Sequence, residues 1–274
     1  MKKKLAIVTN GGGARCAYSA GALCSLAEVH GIKKPDIVVG SSGSTGSLAY
    51  YVAGQYPEIK NIWTNLLASK KFVSLLRINR VLDVDYVIKI FKELEPLNYK
   101  AIRKSKTNFF IGATEYTTGG KRFFSNHQNV DIFEALRASK AVPICYGKRV
   151  EINGKKYIDG SISAPMEKTL EKAVEEGAKK IIIIDDENSG PSKSAYFWKT
   201  YSLFVNKGLS KAVVEYSNKK HIQKEIVGVD VIYISPTKKL SISALDNKKK
   251  HLEEAFNLGY EDTRDNAELK RFLK

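Results

Sequence analysis

Short apolar runs alternate with longer helical patterns along this chain of 274 residues. The runs at residues 5–9 and 180–185 are mostly apolar, which is typical of strands covered on both faces of a sheet. Further strands are predicted at residues 36–40, 108–114, 121–125, 149–152, 156–158 and 229–235. Strands that alternate with helices in this way predict an α/β fold with a mostly parallel central sheet.

Helical patterns follow several strand ends, at residues 15–30, 44–55, 131–139, 166–176 and 252–272. Gly31 and Gly177 fit the position just after a helix, where positive φ is often needed. Residues 57–97 are helical in pattern, and we expect them to cap one side of a functional site. Because no linker is evident, we predict a single domain over residues 1–274, with a core at about 5–185 and a C-terminal extension of helices and a strand at about 190–274.

The composition is that of an ordinary folded protein, with 43% hydrophobic and 27% charged residues. The 45 basic and 29 acidic side chains leave a net charge of +16, which favours anionic partners. The lysines are scattered rather than arranged in a stripe, so nucleic acid is not expected as a partner. A peripheral contact with an anionic membrane stays open.

Three cysteines, Cys16, Cys24 and Cys145, form no CxxC pair and have no histidine-rich neighbourhood. No disulfide framework or metal site is therefore predicted, and we expect no cofactor. The basic N-terminus is followed by an apolar run at residues 5–8 that is too short for a signal peptide, and no other run has the length of a membrane span. We expect a cytoplasmic protein.

The first predicted strand leads directly into a glycine-rich loop that contains Gly11, Gly12 and Gly13 and ends at Arg15. Consecutive glycines let backbone amides turn toward one point, and a following helix adds positive potential, so the loop can hold an anion. In an acyl hydrolase that anion is the oxyanion of the tetrahedral intermediate. Two alternatives are a plain strand-to-helix turn and an incomplete dinucleotide fingerprint, with Cys16 at its third glycine position. Arg15 suits either attraction of a lipid phosphate or bracing of the loop.

The second predicted strand ends in the sequence GSSGS at residues 40–44 and then enters a helix. A serine on such a sharp turn resembles the G-x-S-x-G nucleophile elbow, although ordinary turns also contain serine and glycine. Either Ser42 or Ser44 fits the motif with one substitution. We choose Ser42 because the strand leads straight to it, and we expect Ser44 to cap the helix.

Asp159 follows a β-rich segment and precedes Gly160. A carboxylate in hydrogen-bond reach of a serine can take its proton, although an Asp-Gly pair by itself also fits a hairpin turn. Histidine is the usual base for a serine nucleophile. The four histidines lie in contexts that surface or capping roles explain: a helix end, a polar loop and two lysine-rich helical stretches, at His30, His127, His221 and His251.

Together these motifs resemble those of the patatin-like phospholipases. The loop at 11–15 is similar to the family's oxyanion loop, residues 40–43 to its nucleophile elbow, and Asp159-Gly160 to its Asp-Gly motif. The sequence ASKAVP at 138–143 resembles the segment that precedes that aspartate. The resemblance spans about residues 5–185 in order and spacing. Cys16 and Ser44 depart from it, since glycines usually occupy both positions.

This resemblance implies a three-layer α/β/α domain and a serine acyl hydrolase that acts on phospholipid or lysophospholipid through an acyl-serine intermediate. Ser42 would be the nucleophile and Asp159 its base. The oxyanion would be bound by backbone amides of Gly11, Gly12, Gly13 and Gly43. One alternative is an inactive relative that binds lipid or a protein, which would be favoured if Ser44 narrows the acyl pocket. The other is an acyltransferase, which would need a histidine partner.

Residues 195–220 mix aromatic side chains with lysines. One interpretation is a surface helix whose aromatics pack on the core. The other is an interfacial patch whose aromatics enter a lipid surface. Trp198 is the aromatic residue on which the second interpretation depends.

Overall fold

The predicted apolar runs form the strands of one sheet. The computed structural model describes residues 3–78, 80–186, 195–218 and 226–274. Within these ranges every predicted strand is present, with its ends shifted by no more than two residues. The strands are β1 (Lys4–Thr9), β2 (Ile37–Ser41), β3 (Asn108–Glu115), β4 (Lys121–Ser125), β5 (Val150–Ile152), β6 (Lys155–Ile158), β7 (Ala178–Ile184) and β8 (Asp230–Ile234).

The sheet has the order β5-β6-β3-β2-β1-β7-β8, and β4 also pairs with β3. The five strands from β3 to β8 in this order are parallel, while β4, β5 and β6 form antiparallel pairs at the β3 side. The middle of the five parallel strands is β1, in which Ile7 lies opposite Val38 on one side and Ile182 on the other. The carboxyl ends of β1 and β2 therefore meet at one edge of the sheet, which is where parallel α/β sheets bind ligands.

Helices cover both faces of this sheet. They are α1 (Cys16–Glu28), α2 (Ser44–Ala53), α3 (Tyr56–Asn61), α4 (Val84–Lys89), α5 (Tyr99–Lys104), α6 (Ile132–Ser139), α7 (Met166–Glu175), α8 (Ala195–Ser202), α9 (Lys207–Ser217), α10 (Lys249–Arg264) and α11 (Ala267–Leu273). On one face, Ile7 and Val38 pack in the large core formed with helices that include α1, α2, α6 and α10. On the other, Ala6 and Val39 pack against Leu170 of α7. This arrangement confirms the predicted three-layer α/β/α fold with a mostly parallel sheet.

The C-terminal helix α10 packs closely along α1. A Cβ atom on Gly21 would lie 1.9 Å from the carbonyl oxygen of Phe256, and one on Gly259 would lie 2.0 Å from that of Tyr18. Only glycine allows the two backbones to approach this closely. The hydroxyl of Tyr18 also donates a hydrogen bond to Asp262 over 3.1 Å.

The prediction of helical structure over residues 57–97 is wrong for the middle of this segment. The helices α3 and α4 each continue into a π-helical turn, at Ile62–Leu66 and Ile90–Leu94. Between them the chain forms a hairpin in which Val73 pairs with Leu82. The guanidinium of Arg77 donates hydrogen bonds to the carbonyls of Lys71, Phe72 and Val81, which ties the two arms together. These bonds within the hairpin compete with the helix that the apolar spacing favours.

The predicted helix at 252–272 is interrupted near Asn266, whose side chain accepts a hydrogen bond from Leu269 N and starts α11. In the aromatic segment, Trp198 is only 9% exposed and packs with Ile158 and Leu209, so the core interpretation holds at this residue. Residues 219–220 and the side chains of Tyr196 and Phe197 lie outside the described residues. Within the described ranges no helix combines the length and apolarity needed to cross a membrane.

Candidate active site

Ser42 lies on a sharp turn between β2 and α2. Its φ of 55° falls in the left-handed region, which a non-glycine residue rarely adopts and which is common at strained functional turns. The Ser42 amide donates to Ser139 Oγ over 2.8 Å, and the Ser42 carbonyl accepts from Thr45 N and Thr45 Oγ1. These bonds hold the turn in the conformation expected of a nucleophile elbow.

Asp159 follows β6 and caps the short 3₁₀ turn Gly160–Ile162. Its Oδ1 accepts a hydrogen bond from Ser161 N over 2.9 Å, and its Oδ2 accepts one from Ser42 Oγ over 2.7 Å. The Asp159 backbone is fixed as well, since Thr114 Oγ1 donates to its carbonyl over 2.7 Å. The two predicted site residues, 117 positions apart in sequence, are therefore in direct hydrogen-bond contact.

Asp159 is only 4% exposed, and this burial changes the acidity of its carboxyl group. Loss of solvation raises the pKa of Asp159 from 3.8 to about 6, although hydrogen bonds from Ser42 and Ser161 and the charge of Lys140 oppose the rise. A carboxylate with a raised pKa is a stronger general base. The environment of Asp159 thus suits the acceptance of a proton from Ser42.

Lys140 is a site residue that the sequence did not reveal. It is 6% exposed, and its Nζ donates to the Ser42 carbonyl over 3.0 Å and to Thr45 Oγ1. Burial lowers the pKa of Lys140 from 10.5 to about 7, while Cys16 and Asp159 act in the opposite direction. The sequence ASKAVP drew attention to this segment, but nothing in it showed that the lysine side chain turns inward.

Segment 139–141 contacts both halves of the Ser42–Asp159 pair. Ser139 Oγ accepts from Ser42 N, and Lys140 binds the Ser42 carbonyl. The next carbonyl, that of Ala141, accepts from Asp159 N over 3.0 Å. Three consecutive residues therefore set the distance between the nucleophile candidate and the base candidate.

The glycine-rich loop lies directly over Ser42. A Cβ atom on Gly11 would be 2.7 Å from Ser42 Cβ and 2.2 Å from Ser161 Oγ, so no side chain fits there. Likewise, a Cβ on Gly43 would be 2.9 Å from the Gly13 carbonyl oxygen and 3.4 Å from Gly13 N. The structure therefore brings the predicted loop glycines and the residue after Ser42 together.

The amides of these glycines are not equivalent. Gly11 N already donates to Asn10 Oδ1 over 2.9 Å. Burial and Asp186 raise the pKa of the Cys16 thiol, and the neighbouring Gly12 backbone opposes that rise, so Gly12 lies close to the thiol. The Gly11 amide is therefore already engaged, and the predicted binding of an oxyanion by the glycine amides stays a prediction.

The two residues that depart from the family motifs are buried away from solvent. Cys16 is fully buried, and its raised pKa keeps the thiol protonated and unreactive. We expected Ser44 to cap α2, and this prediction is wrong. Gly43 takes the cap position, and Ser44 is the first helical residue. Its hydroxyl donates to the Ser41 carbonyl over 3.0 Å and accepts from Thr9 Oγ1 over 2.8 Å. These contacts hold the Ser44 side chain against the strand ends.

Asp186 is a second residue that sequence reasoning missed. It follows β7, is fully buried, and accepts a hydrogen bond from Ser19 Oγ over 3.4 Å. Its carboxylate lies against the glycine-rich loop, since a Cβ on Gly12 would lie 2.7 Å from Asp186 Oδ2. The position after a predicted strand end was its only signal in the sequence.

The remaining residues weighed from the sequence are Arg15 and the four histidines. Arg15 is half-buried, and its Nε makes no hydrogen bond to any described residue, so its predicted role stays a prediction. Among the described histidines, His30 contacts Thr263 O over 2.9 Å, His251 contacts Asp246 over 2.7 Å, and His127 is exposed. His221 lies outside the described residues. In the described part of the chain, no three His, Cys, Asp or Glu side chains are grouped to hold a metal ion.

The model of the patatin-like phospholipase family matches residues 7–169. The match covers more than half of the chain, and the chain therefore belongs to the patatin-like phospholipase family, as the motifs predicted. Membership supports the hydrolysis of lipid esters at the level of the family. A second model, of a domain of unknown function named DUF6363, matches residues 216–274.

Two individual proteins illustrate these similarities. The uncharacterized protein YjjU of Escherichia coli K12 is 22% identical over 272 residues, which cover 93% of this chain and 75% of YjjU. The crystal structure of VipD from Legionella pneumophila superposes with a TM-score of 0.54 at 14% identity over 96% of this chain. This chain spans 66% of the VipD chain, and the likeness is one of fold.

Proposed function

We propose that this protein is a serine acyl hydrolase that cleaves ester bonds of phospholipids or lysophospholipids, with Ser42 as nucleophile and Asp159 as base. The observation that carries the proposal is the 2.7 Å hydrogen bond from Ser42 Oγ to Asp159 Oδ2 in a buried setting. No described histidine contacts either residue, so within those ranges the carboxylate is the base in reach. Family membership supports the lipid ester as substrate class.

In the acylation step, Asp159 accepts the Ser42 proton while Oγ forms a bond to the ester carbonyl carbon. The carbonyl electron pair moves onto oxygen, and the amides of Gly13 and Gly43 stabilise this oxyanion. One such donor contributes about 3 kcal/mol to transition-state stabilisation. When the intermediate collapses, the alcohol leaves with the proton held by Asp159, and an acyl-Ser42 ester remains.

In the deacylation step, a water molecule attacks the acyl-Ser42 carbonyl carbon while Asp159 accepts one of its protons. The same amides stabilise the second oxyanion. Collapse breaks the bond to Ser42 Oγ, which takes back the proton from Asp159, and the fatty acid is released. Asp159 thus serves as base and then acid in each half-reaction.

Lys140 acts in this scheme as a positioning residue. Its bond to the Ser42 carbonyl holds the strained turn, and its charge favours the ionised, proton-accepting form of Asp159. Burial of a lysine and a carboxylate destabilises a fold unless both groups are paired. Buried charged groups of this kind are more common at functional sites than elsewhere.

We also propose that residues 1–274 form one folding unit, including the segment that matches DUF6363. The strand β8 pairs with β7 in the central sheet, and α10 packs along α1. In addition, Ala14 N in the glycine-rich loop donates to the carbonyl of Ala244 over 2.9 Å. The C-terminal extension therefore supports the site directly.

A fluorophosphonate probe followed by peptide mass spectrometry tests this function. We expect one probe adduct, on Ser42, in the wild-type protein, and strongly slowed labelling in Asp159→Asn. Incubation with phospholipid and lysophospholipid should release fatty acid, while Ser42→Ala should release none. An absence of labelling together with an absence of fatty acid would instead favour an inactive, lipid-binding relative.

A further inference from the structure

The hairpin between α3 and α4 presents three large hydrophobic side chains to solvent. Leu75 is 77% exposed, Leu76 is 95% exposed and Ile78 is 89% exposed. Scattered exposed hydrophobic residues are normal, but three at one loop tip form a patch that marks an interaction surface.

The fold holds these side chains outward. Arg77, which lies between them in sequence, points back into the hairpin, where it bonds to Asp83 over 3.2 Å in addition to three backbone carbonyls. Ser74 N donates to Val81 O over 2.9 Å, and Asp83 N donates to Phe72 O over 2.8 Å. The tip is thus braced at its base, so its exposure is built into the hairpin.

The hairpin stands at the edge of the sheet that carries Ser42. On one side, Leu82 N donates to Cys145 O over 2.9 Å, close in sequence to the Ala141 carbonyl that binds Asp159. On the other, Asn247 Nδ2 donates to Val73 O over 2.9 Å, and Ala244 of the same segment binds the glycine-rich loop. Both contacts connect the hairpin to the candidate active site.

A second exposed hydrophobic tip lies in the turn between α8 and α9. Leu203 is 79% exposed and Phe204 is 81% exposed. These helices pack on Ile158, which precedes Asp159, and on Ile162 in the 3₁₀ turn that Asp159 caps. The interfacial interpretation of residues 195–220 therefore applies to this turn, whereas Trp198 belongs to the core.

Both tips are surrounded by positive charge. Residues 69–80 contain four basic side chains and no acidic one: Lys70 and Lys71 are exposed, whereas Arg77 and Arg80 pair with Asp83. A cleft of about 330 Å³ at the base of the hairpin is lined by cations in excess over carboxylates, namely Lys71, Arg77, Arg80 and Lys89 against Asp83 and Asp85. Near the second tip, Lys199, Lys207 and Lys211 are exposed. Hydrophobic side chains with a basic surround fit an anionic lipid surface, where the apolar groups enter the interface and the cations meet the head groups.

We infer that the hairpin tip at residues 75–78, together with Leu203 and Phe204, forms the surface that docks this protein on an anionic membrane beside the Ser42 site. The inference rests on the proposed function, because membrane docking is useful to an enzyme that acts on lipids. The contact of the two tips with the membrane does not itself depend on catalysis. It would bring the candidate active site to the lipid that it hydrolyses.

Vesicle binding by the full chain carrying Ser42→Ala tests this surface, because that background leaves the lipid intact. We expect binding to phosphatidylcholine vesicles that contain phosphatidylserine, weaker binding to phosphatidylcholine alone, and a loss of the difference at high salt. The pair Leu75→Ser and Leu76→Ser should weaken binding about tenfold or more, and Phe204→Ser should also weaken it. Lys70→Gln with Lys71→Gln should reduce the salt dependence.

Val227→Ser is the matched control. Val227 is 102% exposed, but it precedes β8 and so lies at the opposite edge of the sheet from Ser42. It should bind like the parent protein, and all variants should keep the parent unfolding temperature because the altered side chains are exposed.

Equal binding by the Leu75→Ser/Leu76→Ser protein and the parent, or no vesicle binding by the parent, would overturn the inference. It would also fail if sedimentation showed a parent dimer that the hairpin variant dissociates, since the tip would then cover a second copy. Because binding is measured without Ser42, these outcomes leave the proposed chemistry untouched. Failure of probe labelling with intact vesicle binding would reject the chemistry alone.

Discussion

Lys140 donates a hydrogen bond from Nζ to the backbone carbonyl of Ser42 over 3.0 Å. The same carbonyl accepts from Thr45 Oγ1 over 2.8 Å, so two side chains hold a residue whose φ is 55°. The lysine charge also lies near Asp159, whose pKa it lowers. One buried side chain therefore affects both the geometry of the nucleophile candidate and the basicity of its partner.

Lys140→Met should lower kcat/KM for a soluble ester by about tenfold to a hundredfold, the usual effect of losing hydrogen bonds to a charged group. Because the charge of Lys140 lowers the pKa of Asp159, its removal should move the acidic limb of the pH profile to higher pH. Lys155→Met, which removes an exposed lysine paired with Glu115, is the control and should leave both unchanged. A lower rate with an unshifted limb would show that Lys140 serves the packing alone.

Ser42→Ala should reduce hydrolysis of a soluble ester by at least about 10⁴-fold, because no other group replaces the attacking oxygen. Ser44→Ala should retain measurable turnover, since Ser44 Oγ bonds to Thr9 and Ser41 rather than to Asp159. Initial rates and fluorophosphonate labelling of both variants measure this. Labelling of the Ser42→Ala protein at Ser44 would mean that the other frame of the motif is the functional one.

The acidic limb of the pH profile should reflect one ionisation near pH 6. Asp159 must be ionised to accept the Ser42 proton, and its pKa is about 6, so kcat/KM should fall as pH drops through that value. The groups that act on this carboxyl are Ser42, Ser161 and Lys140, and the nearby thiol of Cys145 feels its charge. Substitution of any single histidine by alanine should leave the limb in place. A limb that disappears in His127→Ala or His221→Ala would contradict the Ser-Asp pair.

The strands were well predicted because their apolar runs strongly favour β-strand conformation, and burial on both faces reinforces this preference. An example is the run Ile181, Ile182 and Ile183. The hairpin was not predictable in this way. Val73, Leu75 and Leu76 also fit a helical pattern. The bonds that oppose it are those of Arg77 within the hairpin and the bond of Leu82 N to the carbonyl of Cys145, a residue distant in sequence.

The candidate site divides in the same manner. Ser42 and Asp159 were predictable because each lies in a short motif with a recognisable order along the chain. Lys140 and Asp186 were not, since charged side chains are exposed by default and only the packing of α6 and β7 against the site shows that these two are buried. The expected cap at Ser44 failed because the turn places Gly43 one position earlier at the helix start.

Asp159→Asn should abolish activity and yet stabilise the fold. Burial raises the pKa of Asp159 from 3.8 to about 6, so the folded protein holds this proton more tightly than the unfolded chain does. Stability linked to Asp159 is therefore fully present below about pH 4 and is lost as pH rises through about 6. The pKa difference of 2.2, from 6 minus 3.8, corresponds to about 3 kcal/mol of destabilisation at pH 8.

Asparagine has no proton to lose, and its side-chain oxygen can still accept from Ser161 N. At pH 8 the free energy of unfolding should therefore rise by about 1 to 3 kcal/mol. The lower values apply because the substitution also removes the Asp159 charge, which raises the pKa of Lys140 and stabilises its charged form. At pH 4 the two proteins should unfold alike. Urea titrations at both pH values measure the difference. An equal gain in the free energy of unfolding at both pH values would mean that packing, and not the buried charge, accounts for the gain. A lower free energy of unfolding at pH 8 would show that the ionised Asp159 carboxylate stabilises the fold.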